Sequence, residues 1–119
     1  MSKTISELIW EVINEISAKK GNFDPATLAE QLIILSTLYA NLTEKIAEFE
    51  NQYNGVIGMA IDAFPDKPQN RIENEAKRGS EYYNLKKAQA LERAVIQIIR
   101  SSNKFIRIKE REQEASKYQ

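Results

Sequence analysis

The architecture of this chain is set by residues 24–65, which read DPATLAEQLIILSTLYANLTEKIAEFENQYNGVIGMAIDAFP. Asp24 followed by Pro25 has the form of an N-cap with proline at the first helical position, and Phe23 is placed to pack on Leu28 as a hydrophobic staple. Apolar residues then recur at helical spacing from Leu28 to Phe64. Pro65 forces the helix to end. The pattern predicts one helix over residues 25–64.

Two glycines near the end of this predicted helix, Gly55 and Gly58, leave its last turns open to two interpretations. Each glycine weakens a helix by roughly 1 kcal/mol. Either the end of the helix is frayed or kinked, or the two glycines allow another helix to approach closely.

Shorter patterns flank the long helix on both sides. Upstream, Thr4 and Glu7 have the spacing of a capping box, apolar residues from Ile5 to Ile16 share one face, and Gly21 provides a stop signal. Downstream, a third apolar pattern runs to Ile108, with Gly79-Ser80 as a possible break. The sequence therefore predicts an all-α domain of three helices (residues 4–20, 25–64 and 71–111), with 112–119 as a fraying tail. The second and third helices should form an antiparallel hairpin, with the first packed on it.

Composition narrows the classes of function. The 119 residues contain no His and no Cys, which excludes disulfides, thiolate or imidazole metal sites and Ser–His or Cys–His nucleophiles. No glycine-rich phosphate loop is present, and the carboxylate pairs at i,i+2 diverge on a helix. We therefore expect a protein that is not an enzyme and has neither metal nor cofactor. No apolar run approaches the ~20 residues of a membrane span, so we expect a cytoplasmic protein.

Charge is distributed unevenly along the chain. Residues 1–64 carry four basic and nine acidic groups, and residues 65–119 carry thirteen and eight. The two parts therefore have formal charges of −5 and +5, although the whole chain is neutral.

The basic residues of the third predicted helix share one side of it, opposite the apolar positions. Within this arc of about 60° lie six residues that we call the basic face: Lys86, Arg93, Arg100, Lys104, Arg107 and Arg111. Tyr82 shares the arc, and no acidic residue falls within it. Six like charges repel one another unless something acidic compensates. Solvation or pairing with Glu7, Glu11 and Glu15, nucleic-acid phosphate, and an acidic protein partner are the three explanations.

Nucleic-acid binding through such a face would be salt-dependent and independent of sequence. Binders of single strands add aromatic side chains on which bases stack, and Tyr82 and Tyr83 are the best-placed candidates. Phe105 lies on the apolar side and is expected to be part of the core. No signature of a known nucleic-acid-binding fold is present.

Several apolar residues fall outside the main helical patterns and predict an interface between copies of the chain. They are Trp10, Ile33, Ile34, Ile96 and Ile108. A long hairpin of this length buries limited apolar area, so we expect a homo-oligomer.

A family resemblance covers roughly residues 71–111. This part of the chain resembles small helical proteins of phage recombination modules. The resemblance lies in the segments RGSEYYNLKK (78–87), ALERAVIQIIRS (90–101) and NKFIRIK (103–109). In outline they are similar to the recombination mediators of T-even-like phages, which are helical oligomers that bind single-stranded DNA and help to load a recombinase. The resemblance implies Arg100, Lys104, Arg107 and Lys109 as phosphate contacts, and the cytoplasm of a bacterial host as the location.

The sequence thus leads to two hypotheses of different class. The first is a phage-type accessory protein that oligomerises and binds single-stranded nucleic acid in DNA recombination. The second is a protein-interaction module: an adaptor, a structural coiled-coil component, or an inhibitor that mimics nucleic acid with an acidic helix face. The residues of that acidic face would be Glu7, Glu11, Glu15, Glu44 and Glu48.

Overall fold

A computed structural model describes residues 3–19 and 24–117 of the chain. These residues form four helices, α1 (Ile5–Lys19), α2 (Pro25–Ala63), α3 (Gln69–Ala76) and α4 (Ser80–Lys117), and contain no strand. The expected all-α class is confirmed. The expected stop at Gly21 and the staple from Phe23 lie outside the described residues.

The predicted helix starts are confirmed in position. The Oγ1 atom of Thr4 accepts a hydrogen bond of 3.1 Å from the N–H of Glu7, which is half of the expected capping box. Asp24 precedes Pro25 at the start of α2 with an extended backbone, but its side chain makes no capping hydrogen bond. The end of α2 is also as predicted, because Phe64 leaves the helical conformation immediately before Pro65.

The count of three helices is wrong, because the predicted third helix is two helices. The chain turns at residues 77–79, so that α3 folds beside the end of α2 and α4 begins at Ser80 itself. The burial of Ile72 against this part of the molecule holds α3 in place. At the surface, Glu75 of α3 accepts a 3.0 Å hydrogen bond from Lys67, which precedes the helix, and lies 3.4 Å from Arg71. The Lys67 hydrogen bond lowers the pKa of the Glu75 carboxyl.

The last helix extends beyond its predicted end at residue 111. Helix α4 continues to Lys117, and its side chains from Glu110 onward are exposed. The segment EREQEASK (110–117) consists mainly of residues with high helix propensity, which sustains the helix without a partner. The remaining two residues lie outside the described range.

Helices α2 and α4 form the long antiparallel hairpin. Tyr53 of α2 lies beside Tyr82 of α4, with their ring centroids 5.2 Å apart, whereas Leu32 and Ile99 come together nearer the other end. Helix α1 packs along one side of this pair. The molecule is elongated, with extents of 76 × 34 × 20 Å and a radius of gyration of 20.6 Å, against about 14 Å for a compact domain of this length.

The core is a single apolar seam where α1, α2 and α4 meet. Its fully buried side chains are Ile9, Leu35, Leu42 and Val95. The apolar pattern of α2 is buried from Leu28 to Ile46, and Phe64 at its end is 55% exposed. Phe105, which was expected in the core, is half-buried and lines a cavity together with Ile16 of α1 and Leu28 of α2.

The two glycines of α2 are neither a break nor a site of close approach within the chain. The helix passes through both without interruption, and a Cβ atom at Gly55 or Gly58 would have no described atom within 4 Å apart from its chain neighbours and the backbone of its own helix. Nothing in the described structure therefore requires glycine at these positions.

We expect Gly58→Ala to raise the free energy of unfolding by about 0.5–1 kcal/mol, because alanine restricts the unfolded chain and favours the helix. Gly79→Ala is the matched control, since its Cβ would lie 3.0 Å from the Glu81 carboxylate and 3.4 Å from the Ala76 carbonyl oxygen. Urea denaturation measures both. A loss of stability on Gly58→Ala would contradict this description of α2.

Candidate nucleic-acid interface

The six side chains of the basic face are all exposed and all project from the same side of α4. The buried residues of α4 lie outside this side of the helix: Ala88, Leu91, Val95 and Ser102 are opposite it, and Leu85 is beside it. Because core packing fixes the rotation of α4 about its axis, it also fixes the direction in which the cations point. From Lys86 to Arg111 the basic face extends over about 37 Å, at 1.5 Å per residue.

Carboxylates do not neutralise the basic face within residues 3–19 and 24–117. None of its six cations has an Asp or Glu oxygen within 4.0 Å there, although several other cations of the chain do. Glu11, one of the acids considered as a partner, instead forms an ion pair with Lys3 of its own helix region, and this hydrogen bond raises the pKa of Lys3. Pairing of the basic face with Glu7, Glu11 and Glu15, one of the explanations left open by the sequence, is not seen among the described residues.

Two predicted site residues occupy different surroundings from the rest. Lys109 lies on another side of α4, half-buried, with its Nζ 5.6 Å from the centre of the Phe105 ring and 3.4 Å from the Glu112 carboxylate. Tyr82 is half-buried against Tyr53, and the Nζ of Lys86 lies 5.4 Å from its ring centre. Lys109 is therefore separate from the basic face, whereas Tyr82 lies beside Lys86, the first residue of that face.

Tyr83 is the exposed member of the tyrosine pair. It is 63% exposed, and the Nζ of Lys87 lies 5.9 Å from its ring centre. The sequence predicted both Tyr82 and Tyr83 as candidates for base stacking. Only the structure distinguishes them, because Tyr53 packs against Tyr82. The shared signal in the sequence is an aromatic residue followed by lysine four positions later, which recurs at Phe105 and Lys109.

The predicted interface residues form no single patch. Trp10, Ile33, Ile34 and Ile108 are exposed, whereas Ile96 is half-buried. Ile33 borders an open groove between α2 and α4, to which α1 contributes no residue. We call this the open groove, and it is lined by Leu32, Ile33, Ser36, Thr37, Ile99 and Asn103. Met59 and Phe64, near the end of α2, are further exposed apolar residues that the sequence analysis missed.

The described residues contain no group of three or more acidic side chains that could hold a metal ion. In the same residues, no helix combines the length and the apolar character needed to cross a bilayer.

The arrangement on α4 can bind an extended anion by charge and hydrogen bonding, since Lys and Arg side chains are donors with no acceptor. Comparison of the chain with protein-family models, with curated proteins and with solved structures finds no match.

Proposed function

We propose that this chain is a non-enzymatic protein that binds single-stranded nucleic acid along the basic face of α4. The observation that carries the proposal is the row of exposed cations without carboxylate partners in the described structure. Like charges aligned on one helix face repel one another. A polyanion that lies along the helix removes this repulsion and releases its own condensed counterions.

The shape of the face suits a backbone contact. A straight helix presents its cations in a line of about 37 Å, which a stacked strand at 3.4 Å per nucleotide covers with about 11 nucleotides. Such contacts do not discriminate among bases. The resemblance of residues 71–111 to phage recombination mediators leads us to propose DNA recombination as the setting.

Fluorescence anisotropy of a labelled oligothymidine of about 20 nucleotides, which exceeds the length of the basic face, tests the proposal. We expect binding at low ionic strength by the protein alone. An adaptor or an inhibitor would ignore the oligonucleotide and require a protein partner, so absence of binding at tens of micromolar protein would contradict the proposal.

Self-association is the second part of the proposal, and the open groove supports it. Ile33 at its edge is 68% exposed, and Ile99 in the groove is half-buried, whereas Leu32 beneath them is already buried. An uncovered apolar groove on a thin molecule also favours the alternative function, a protein-interaction module whose partner is a different chain.

We expect sedimentation velocity to show association at tens of micromolar, and Ile33→Glu to shift the protein towards monomer because it places charge at the groove. Met59→Glu, at an exposed residue elsewhere on α2, is the matched control and should leave the association unchanged. If the wild-type protein stays monomeric, no second copy binds in the open groove, and the proposed self-association is contradicted.

A further inference from the structure

A second cavity lies where the first turns of α1 meet the α2–α4 hairpin. Its volume is about 550 Å³, within the 300–1,000 Å³ that is usual for small-molecule sites. Three helices contribute polar or aromatic side chains to it: the carboxylate Glu7 and Trp10 from α1, Lys45 and Phe49 from α2, and Asn84 and Lys87 from α4. We call it the aromatic cavity. It lies on the α1 side of the hairpin and shares no lining residue with the open groove.

The side chains of the aromatic cavity fit a nucleobase with an adjoining phosphate. Trp10 and Phe49 offer aromatic surface, and stacking of a base on such surface tolerates any base. The amide of Asn84 can both donate to and accept from a base edge. Lys45 lies 3.2 Å from Glu48, whereas Lys87 has no carboxylate within 4.0 Å among the described residues. Lys87 is therefore the cation available to a phosphate.

The aromatic cavity lies next to the start of the basic face along α4. Lys86 is the first residue of the basic face, and Lys87 follows it in the chain, about 100° further around the helix. Tyr83 lies one turn earlier, between the two lysines in helical phase, and is 63% exposed. A strand on the basic face can therefore turn around the start of α4 towards the cavity without leaving a cation or an aromatic ring.

We propose that the aromatic cavity holds one unstacked base of a single strand bound along the basic face. This inference rests on the proposed function and makes it more specific. A strand whose bases are free can insert one of them, whereas a paired duplex must first break a base pair, which costs a few kcal/mol. The cavity would thereby give the protein a preference for single strands that the basic face alone does not provide.

The only tryptophan of the chain, Trp10, lines this cavity and provides the readout. We expect single-stranded oligothymidine to change Trp10 emission with the same midpoint as its anisotropy, and a duplex of equal length, at equal saturation, to leave the emission unchanged.

Asn84→Ala should weaken single-strand binding about fivefold, as expected for a lost hydrogen bond, and Lys87→Ala by more. Both positions are exposed, so that folding is preserved. Lys77→Ala, an exposed lysine in the turn before α4, is the control of equal charge.

Failure of this inference is distinguishable from failure of the proposed function. If the strand binds by anisotropy while Trp10 emission stays constant, or if Asn84→Ala and Lys87→Ala bind as Lys77→Ala does, the cavity is not used and the basic face still stands. If thymidine monophosphate changes Trp10 emission while the oligonucleotide does not bind, the cavity is a site for a free nucleotide, and both the strand-binding function and this inference are overturned. If neither probe has an effect, both are overturned as well.

Discussion

The double variant Arg100→Ala, Arg107→Ala is expected to bind single-stranded oligonucleotide roughly 60-fold more weakly than the wild type at about 50 mM salt. Each phosphate contact with a single strand contributes about 0.7 to the slope of log K against log salt. Removing two contacts therefore makes the slope shallower by about 1.4. With equal affinity of the two proteins at about 1 M salt, this difference in slope gives the roughly 60-fold difference in affinity at about 50 mM salt. Both arginines are exposed and have no described carboxylate partner, so the substitutions should not affect folding.

The matched control is Lys77→Ala, Arg78→Ala, which makes the same change in net charge at exposed positions in the turn before α4. We expect it to weaken binding only a few-fold, because its charges act at long range and are screened by salt. Fluorescence anisotropy of a labelled oligonucleotide measures both variants. Equal losses in the two would show that the overall charge, and not the basic face, is responsible.

Truncation of the core should give the largest effect on stability. Leu35 is fully buried where α1, α2 and α4 meet, and Leu35→Ala is expected to cost about 2–5 kcal/mol because it removes apolar contacts and leaves a cavity. A loss in this range lowers the melting temperature by roughly 10 °C or more for a domain of this size.

Ile33 provides the control for this prediction two residues away. It is 68% exposed, so that Ile33→Ala should change stability by no more than about 0.5 kcal/mol. Thermal denaturation should be performed at a protein concentration where the chain is monomeric, because self-association would add to the stability of the wild type. Equal destabilisation by the two substitutions would contradict the rotation of α2 that places Leu35 inwards.

Signals confined to a few neighbouring residues predicted much of the fold. Asp24 with Pro25 marked the start of α2, Pro65 marked its end, and Thr4 marked the start of α1. The direction of the basic face was also predictable, because the positions of Leu91 and Val95 on the same helix define where the core lies and hence which residues point away from it.

The parts that could not be predicted depend on contacts between distant segments. Gly79-Ser80 indicated a possible break after the segment that contains Ile72, but the burial of Ile72 depends on the contact of α3 with α2, which the local sequence does not indicate. Tyr82 is covered by Tyr53, which lies in another helix, whereas its neighbour Tyr83 stays exposed. The aromatic cavity combines side chains of three helices, so that no single helical pattern indicates it. The extension of α4 beyond residue 111 has a local cause, since the high helix propensity of residues 110–117 is visible in the sequence.

The most direct test of the central claim is the salt dependence of oligonucleotide binding. If the six cations of the basic face contact phosphates, log K should fall linearly with log salt with a slope of about −4. The slope of the Arg100→Ala, Arg107→Ala variant should be shallower by about 1.4, whereas the slope of the Lys77→Ala, Arg78→Ala control should change by much less, because its charges act only at long range. Binding that is undetectable at low salt, or a wild-type slope that the basic-face substitutions leave unchanged, would contradict the account.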